Sequence, residues 1–365
     1  MKIALVVPDI TVTGGTEKVV ENLYENFQTL KYKCEIVSLF SQNSLNDTNN
    51  DGDDGIIHLN INKPKHIISR FLRKKSITKK INFNKYDIVI GNNFYRYYAT
   101  PIKGNTKNVE IQHMSYEESM LNFSVKKSLA IVYRNRVYKK LDKLVTLTNR
   151  DKDKFLSKGV ANTICIENGL SFYPETTAKL NTKNAIAIGR LTSQKGFDIL
   201  IPMWHRIIQK YPDWKLEIYG EGEQQNSLNL LIKQYNLTNY ISILPFTNNI
   251  QQKILDSSIL LFPSRYEGFP LTIIEAMSCG VPCISFDINS GPSDIIQNEH
   301  DGFIVPAFDQ NLFIEKIEKL IKSEKLRKSL GIQARENIKR YNWSYLIKKW
   351  QLFLESLNSD LQSKD

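Results

Sequence analysis

Short, almost wholly apolar runs alternate along this chain with longer segments whose apolar positions recur at helical spacing. In the first half the runs "KIALVVP", "CEIVSLF", "YDIVIGN", "VEIQHM" and "KLVTLT" predict strands, with a helix from about Thr16 to Leu30. In the second half the strands are "AIAIGRL", "KLEIYG", "YISILPF" and "SILLF". Between them lie helices from about Gly196 to Tyr211, Gln224 to Tyr235 and Ile250 to Asp256. Alternation of this kind predicts an α/β fold of two doubly wound parallel sheets. Amphipathic helices near Asn311 to Tyr341 and Trp343 to Leu357 close the chain, and Ser41 to Gly55 is a polar surface loop.

The alternation breaks once, from Leu170 to Asn184, which carries Pro174 and several threonines. The expected organisation is a Rossmann-like domain over 1–169, a linker over 170–184 and a second such domain over 185–342. The helix of 343–365 is expected to return to the first domain. Doubly wound sheets bind ligands at the carboxyl ends of their strands, so two facing domains would hold a substrate in the cleft between them.

At 365 residues and 41% hydrophobic content, each domain has enough apolar material for a core. No stretch reaches the roughly 18 consecutive apolar residues of a membrane span, and the N-terminus does not read as a signal peptide. A cytoplasmic protein is expected. Cys34, Cys165, Cys279 and Cys283 lack metal or disulfide spacing and read as free thiols.

The net charge of +11 calls for an anionic partner. Basic residues crowd Lys63 to Lys80 without an acid, interleaved with Ile67, Ile68, Phe71, Leu72 and Ile77. That pattern fits either an ordinary packed helix with a solvated basic face or an amphipathic helix lying on anionic lipid. We expect peripheral attachment to a membrane surface through this segment, extended by Lys126 to Lys143, and no nucleic acid partner.

The segment "SRYEGFPLTIIEAMSCGVPCISF", Ser264 to Phe286, holds the most chemistry. Gly268 and Pro270 open a helix that Gly280 and Pro282 stop, and Glu267 and Glu275 flank its start. Free amides around Phe269, Pro270's neighbour Leu271, and Thr272 favour an anion such as a diphosphate. Two acceptor-only carboxylates suit the hydroxyls of a ribose and a hexose attached to it. Arg190 and Lys195, at the end of an earlier strand, could stabilise charge on a departing diphosphate.

The motifs "GGTEKVV", "IGRLTSQKG", "YGEGE" and "EGFPLTIIEAMSCGVPCI" together resemble glycosyltransferase family 4, retaining enzymes of the GT-B fold that use sugar nucleotides. The likeness is strongest from Ala185 to Pro306, and the two glutamates with their intervening glycine and apolar helix are its specific part. The resemblance implies that Glu275 holds the ribose, Glu267 contacts the transferred sugar, and Arg190 and Lys195 clamp the diphosphate with the amides of Phe269 to Thr272. It places Gly14 and Gly15 beside the donor, His113 near the transferred sugar, and Asn168 and Gly169 at an interdomain turn. Gly220, Glu221 and Gly222 would border the base and ribose. It further implies transfer of a hexose or N-acetylhexosamine from a UDP-sugar to a saccharide, lipid-linked in a bacterial surface polysaccharide such as lipopolysaccharide, capsule or O-antigen, with no metal or other cofactor.

Asp51-Gly52-Asp53 and Asp151-Lys152-Asp153 imitate a metal-binding Asp-x-Asp, but one lies in the polar loop and the other at a helix start. Two further function classes stand beside the transferase. A nucleotide- or membrane-surface-binding protein of the same fold, without catalysis, is opposed by the intact set Arg190, Lys195, Glu267 and Glu275. A dinucleotide oxidoreductase would need a G-x-G-x-x-G after the first strand, where "PDITVTGGTEK" stands instead.

Overall fold

A computed structural model describes residues 1–12, 14–40, 55–61, 70–98, 100–117 and 127–362. The chain divides into two compact units, residues 1–169 with 343–365, and residues 170–342.

The first unit carries, among the described residues, strands β1 (Lys2–Val7), β2 (Lys33–Phe40), β3 (Ile56–Ile61), β4 (Ile88–Asn92), β5 (Lys107–Gln112), β6 (Lys143–Thr146) and β7 (Thr163–Cys165). Its helices are α1 (Gly15–Thr29), α2 (Arg70–Lys80), α3 (Phe94–Tyr98), α4 (Lys127–Tyr138) and α5 (Asn149–Ser157). The sheet order is β3-β2-β1-β4-β5-β6-β7, and every neighbouring pair is parallel. Ile3 to Val7 have no exposed surface, as a strand covered on both faces requires. On α1, Val19, Val20, Leu23 and Phe27 form the buried stripe.

The second unit carries β8 (Asn184–Ile188), β9 (Lys215–Tyr219), β10 (Ile241–Leu244), β11 (Ile259–Phe262), β12 (Cys283–Asp287) and β13 (Gly302–Pro306). Between and after them run α6 (Phe197–Ile208), α7 (Gln225–Gln234), α8 (Ile250–Leu255), α9 (Leu271–Ser278), α10 (Pro292–Ile295), α11 (Gln310–Lys322) and α12 (Glu324–Asn337). The order β10-β9-β8-β11-β12-β13 is again all parallel. In both sheets the order reverses beside the first strand, between β1 and β4 and between β8 and β11. These are the topological switch points at which such sheets take ligands.

Several expectations need correction. Residues 170–184, read as a linker, belong to the second unit. Ala178 N donates to Cys279 O at 2.9 Å, and buried Arg327 donates to Leu180 O from Nε at 2.9 Å and from its second terminal nitrogen at 2.8 Å. The single helix read over Asn311 to Tyr341 is two, because Ser323 is extended (φ −134, ψ 98) and its hydroxyl caps Leu326 N at 3.1 Å. The last helix, expected to return to the first domain, is α13 (Trp343–Gln362) and lies in the first unit, where Trp350 meets Phe27 of α1 edge-on at 5.5 Å. Gly169 sits beneath Trp343: a Cβ there would stand 2.4 Å from the ring, so only glycine fits.

Of the basic segment, residues 62–69 lie outside the described residues, as do the polar loop 41–54 and its Asp51-Gly52-Asp53. On α2, Lys75 and Lys79 are exposed, while Ile77, read as part of a lipid-inserting stripe, is fully buried in the unit's own core. On α4, Arg134 is turned inward, donating to Tyr116 O at 2.8 Å, whereas Tyr133 is 41% exposed. Among the described residues no helix is long and apolar enough to cross a membrane.

Candidate functional site

In the second unit the chain leaves β8 through Gly189, Arg190 and a 3-10 turn, Ser193–Lys195, and leaves β11 through the loop to Glu267. Because β8 and β11 are neighbours at the switch point, these two loops meet. Lys195 Nζ lies 2.7 Å from Glu267 Oε1, and both side chains are largely enclosed, 15% and 9% exposed. The lysine stem crosses Gly189, where a Cβ would come within 3.0 Å of it, and its ammonium stands 5.3 Å from the centroid of Phe262.

Beyond Glu267 the chain turns into α9. Pro270 is the N-cap, one residue earlier than the sequence pattern placed it, and Leu271 and Thr272 open the helix. Amides at the first helical positions have no acceptor within their own helix, so they are available to an anion. Glu275 follows one turn on and is 5% exposed. Phe269 is buried against Tyr341, ring centroids 5.3 Å apart. The turn is held from behind by Ser290 and Gly291: Ser290 Oγ lies 3.4 Å from Gly268 O, and a side chain at Gly291 would meet Pro270 at 2.6 Å.

Arg190 stands on the same sheet edge but is exposed, and its side chain does not join the Lys195–Glu267 pair. Gly220 and Gly222 act first on the backbone. A Cβ at Gly220 would stand 1.9 Å from Gly189 O, and Leu191 N donates to Glu221 O at 2.8 Å, so the loops after β8 and β9 touch directly.

In the first unit His113 follows β5, and its Nε2 lies 2.8 Å from Asn92 Oδ1 at the end of β4. Asn92 in turn directs its amide at Val6 O of β1, 3.3 Å away, which fixes the carbonyl toward the histidine. Loss of water around the ring pushes the His113 pKa down to about 4. The imidazole is therefore neutral at neutral pH, donates through Nε2 and keeps Nδ1 as an acceptor. Gly14 is the N-cap of α1 and Gly15 its first residue, not part of the loop before it. A Cβ on Gly14 would strike the Glu17 carboxylate at 2.4 Å.

Asp151 is engaged by protein: its carboxylate accepts from Tyr116 N at 2.8 Å and from the Thr148 hydroxyl at 3.1 Å, and Thr148 caps α5 by accepting from Asp151 N. Among the described residues no group of three or more His, Cys, Asp or Glu is arranged to hold a metal ion. Three participants escaped the sequence reading. Asn92 is an ordinary strand-end asparagine, while Arg265 and Asp198 are surface charges far apart in the chain. Only the sheet order shows what they touch.

The profile of the family described as "Glycosyl transferases group 1" matches residues 173–337. An uncharacterized glycosyltransferase of Haemophilus influenzae is 30% identical over 246 residues, 67% of this chain and 70% of that protein. The amylovoran biosynthesis glycosyltransferase AmsD of Erwinia amylovora is 33% identical over 218 residues, 57% of this chain and 61% of that protein. Among solved structures, Anabaena HepE in complex with UDP and glucose superimposes with a TM-score of 0.77 at 17% identity, covering 98% of this chain and all (100%) of that one. That likeness, with the two parallel sheets, shows the GT-B fold.

Proposed function

We propose that this chain, which belongs to the group 1 glycosyl transferases, moves a hexose or N-acetylhexosamine from a UDP-sugar to a saccharide acceptor with retention of configuration. The observation that carries this reading is the enclosed Lys195–Glu267 pair at the switch point of the second sheet, followed at once by the open first turn of α9 and by Glu275. A cation paired with one carboxylate, then helix amides, then a second carboxylate match a diphosphate with a sugar on either side. UDP as the nucleotide is supported by the structural neighbour that holds UDP and glucose. A role in polysaccharide biosynthesis is supported by the relative named for amylovoran biosynthesis, and a bacterial surface polysaccharide with a lipid-linked acceptor is proposed with it.

In this reading Lys195 stabilises the charge that grows on the diphosphate as the sugar leaves, with Arg190 swinging in from the exposed edge. Glu267 faces the sugar, Glu275 the ribose, and the amides of Phe269, Leu271 and Thr272 the phosphates, while Pro270 shapes the turn and Gly220 and Gly222 border the base. The bond between the anomeric carbon and the phosphate oxygen breaks as the acceptor hydroxyl attacks the same face. That phosphate oxygen takes the hydroxyl proton, so no separate general base is required. In this reading Lys195 and Arg190 do the work a metal ion would otherwise do, and activity should survive chelation. In the first unit His113, through Nδ1, and the start of α1 at Gly14 and Gly15 are proposed to bind saccharide. Attachment to the inner face of the cytoplasmic membrane through the basic segment Lys63 to Lys80 is proposed with them. Vesicle sedimentation of a Lys75→Glu, Lys79→Glu variant checks it, and undiminished binding to anionic vesicles rejects it.

The reading is tested by a panel of nucleotide sugars, with and without EDTA, assayed for release of nucleoside diphosphate in the presence of lipid-linked saccharide extracts. UDP-sugar turnover insensitive to EDTA is expected. Absence of turnover and of UDP binding would reject it.

A further inference from the structure

The two loops that carry Lys195 and Glu267 are joined residue by residue. Ser193 O accepts from an Arg265 terminal nitrogen at 2.6 Å, Gln194 O accepts from Arg265 N at 2.8 Å, Gln194 Nε2 donates to Tyr266 O at 3.0 Å, and Lys195 meets Glu267 at 2.7 Å. Thus 193, 194 and 195 face 265, 266 and 267 in register. The same guanidinium forks onto Asp198 in the first turn of α6, with both nitrogen-to-oxygen distances 2.7 Å. The Arg265 hydrogen bonds hold the Asp198 carboxyl below the usual carboxylate range.

This side-chain pair is 31% and 38% exposed, and ion pairs open to water contribute little to folding. What a bidentate fork does supply is geometry: it fixes distance and angle between the groups it joins. Here those groups are the β11 loop, the 3-10 turn and the start of α6, the three pieces that set where Lys195 Nζ stands.

We infer that Arg265 and Asp198 are positioning residues, a clamp that holds Lys195 and Glu267 in the geometry needed for diphosphate departure. The inference rests on the transferase reading for its kinetic consequence and on the loop geometry alone for the clamp. Misplacement of a charge-stabilising group by about 1 Å can cost on the order of a hundredfold in rate. Arg265→Ala should therefore lower kcat about tenfold to a hundredfold with UDP affinity within about threefold and the urea midpoint near wild type. Arg265→Lys keeps the charge but not the fork and should recover only part of the rate.

The decisive comparison is Lys195→Ala with the Lys195→Ala/Arg265→Ala pair. If Arg265 acts through Lys195, the double variant is no slower than Lys195→Ala alone. Hydrogen exchange of the Arg265→Ala protein gives a readout free of substrate: faster exchange confined to 192–196 and 264–268 is expected. A kcat within twofold of wild type for Arg265→Ala, multiplicative losses in the double variant, or unchanged exchange in both loops would overturn the clamp. Should the wild-type chain turn over no nucleotide sugar, the transferase reading fails, and the exchange pattern alone then supports or overturns the clamp.

Discussion

Lys195 and Glu267 form an ion pair at 2.7 Å across 72 residues of sequence, and the order of strands in the second sheet is what brings them together. Each is largely enclosed, so removing one leaves the other as a poorly solvated charge. Lys195→Ala and Glu267→Ala should each lower unfolding free energy by about 1–3 kcal/mol, and the double variant by less than the sum. Urea denaturation of the four proteins measures the coupling; strictly additive losses would mean that the pair is not formed in solution.

His113 gives a pH signature. Its folded pKa of about 4 lies below the roughly 6.5 of an unfolded histidine. Between these values the unfolded chain binds the proton first, so this residue's contribution is fully present above about 6.5 and is lost as pH falls toward about 4. Stability should decline with acidification through that window, and His113→Asn should flatten the decline. Equal slopes for the two proteins in denaturation at stepped pH would show that the ring is protonated freely in the fold.

Glu110 runs the other way. It is fully buried on β5, close against Gly91 of β4, and burial raises its pKa to about 8. The folded state therefore keeps the proton between about 4.5 and 8 while the unfolded chain has lost it, and stability falls as pH rises through that interval. Glu110→Gln, neutral at every pH and nearly the same shape, should be more stable than wild type at pH near 8 and similar to it at about 4.5. A variant less stable at both ends would mean that the carboxyl is held charged.

Much of this was legible in the chain because parallel strands covered on both faces must be nearly continuous apolar runs, as "KIALVV" and "ILLF" are. Strands β3, β7 and β13 were not read. β7 is only three residues long, "TIC", and β3 mixes His58 and Asn60 into its run. The candidate site was legible as separate pieces: Lys195 at a strand end, and Glu267 and Glu275 around a helix start. Their assembly was not, since it depends on β8 and β11 becoming neighbours. For the same reason neither the Asn92–His113 bond nor the Arg265–Asp198 fork has a signal in local sequence. Ser323, which divides one apparent helix into two, did carry a local signal: a serine directly before an acidic first turn.

In the proposed reading the switch point of the second sheet takes a nucleoside diphosphate, with Glu275 as a ligand to it. Titration calorimetry of UDP into the wild-type protein and into Glu275→Ala, with melting curves to confirm that both are folded, tests this most directly. One saturable site in the wild type, weakened about tenfold or more in the variant, is predicted, as befits the loss of a charged hydrogen-bond acceptor. Absence of UDP binding by the wild type, or equal affinity in the two proteins, would contradict it.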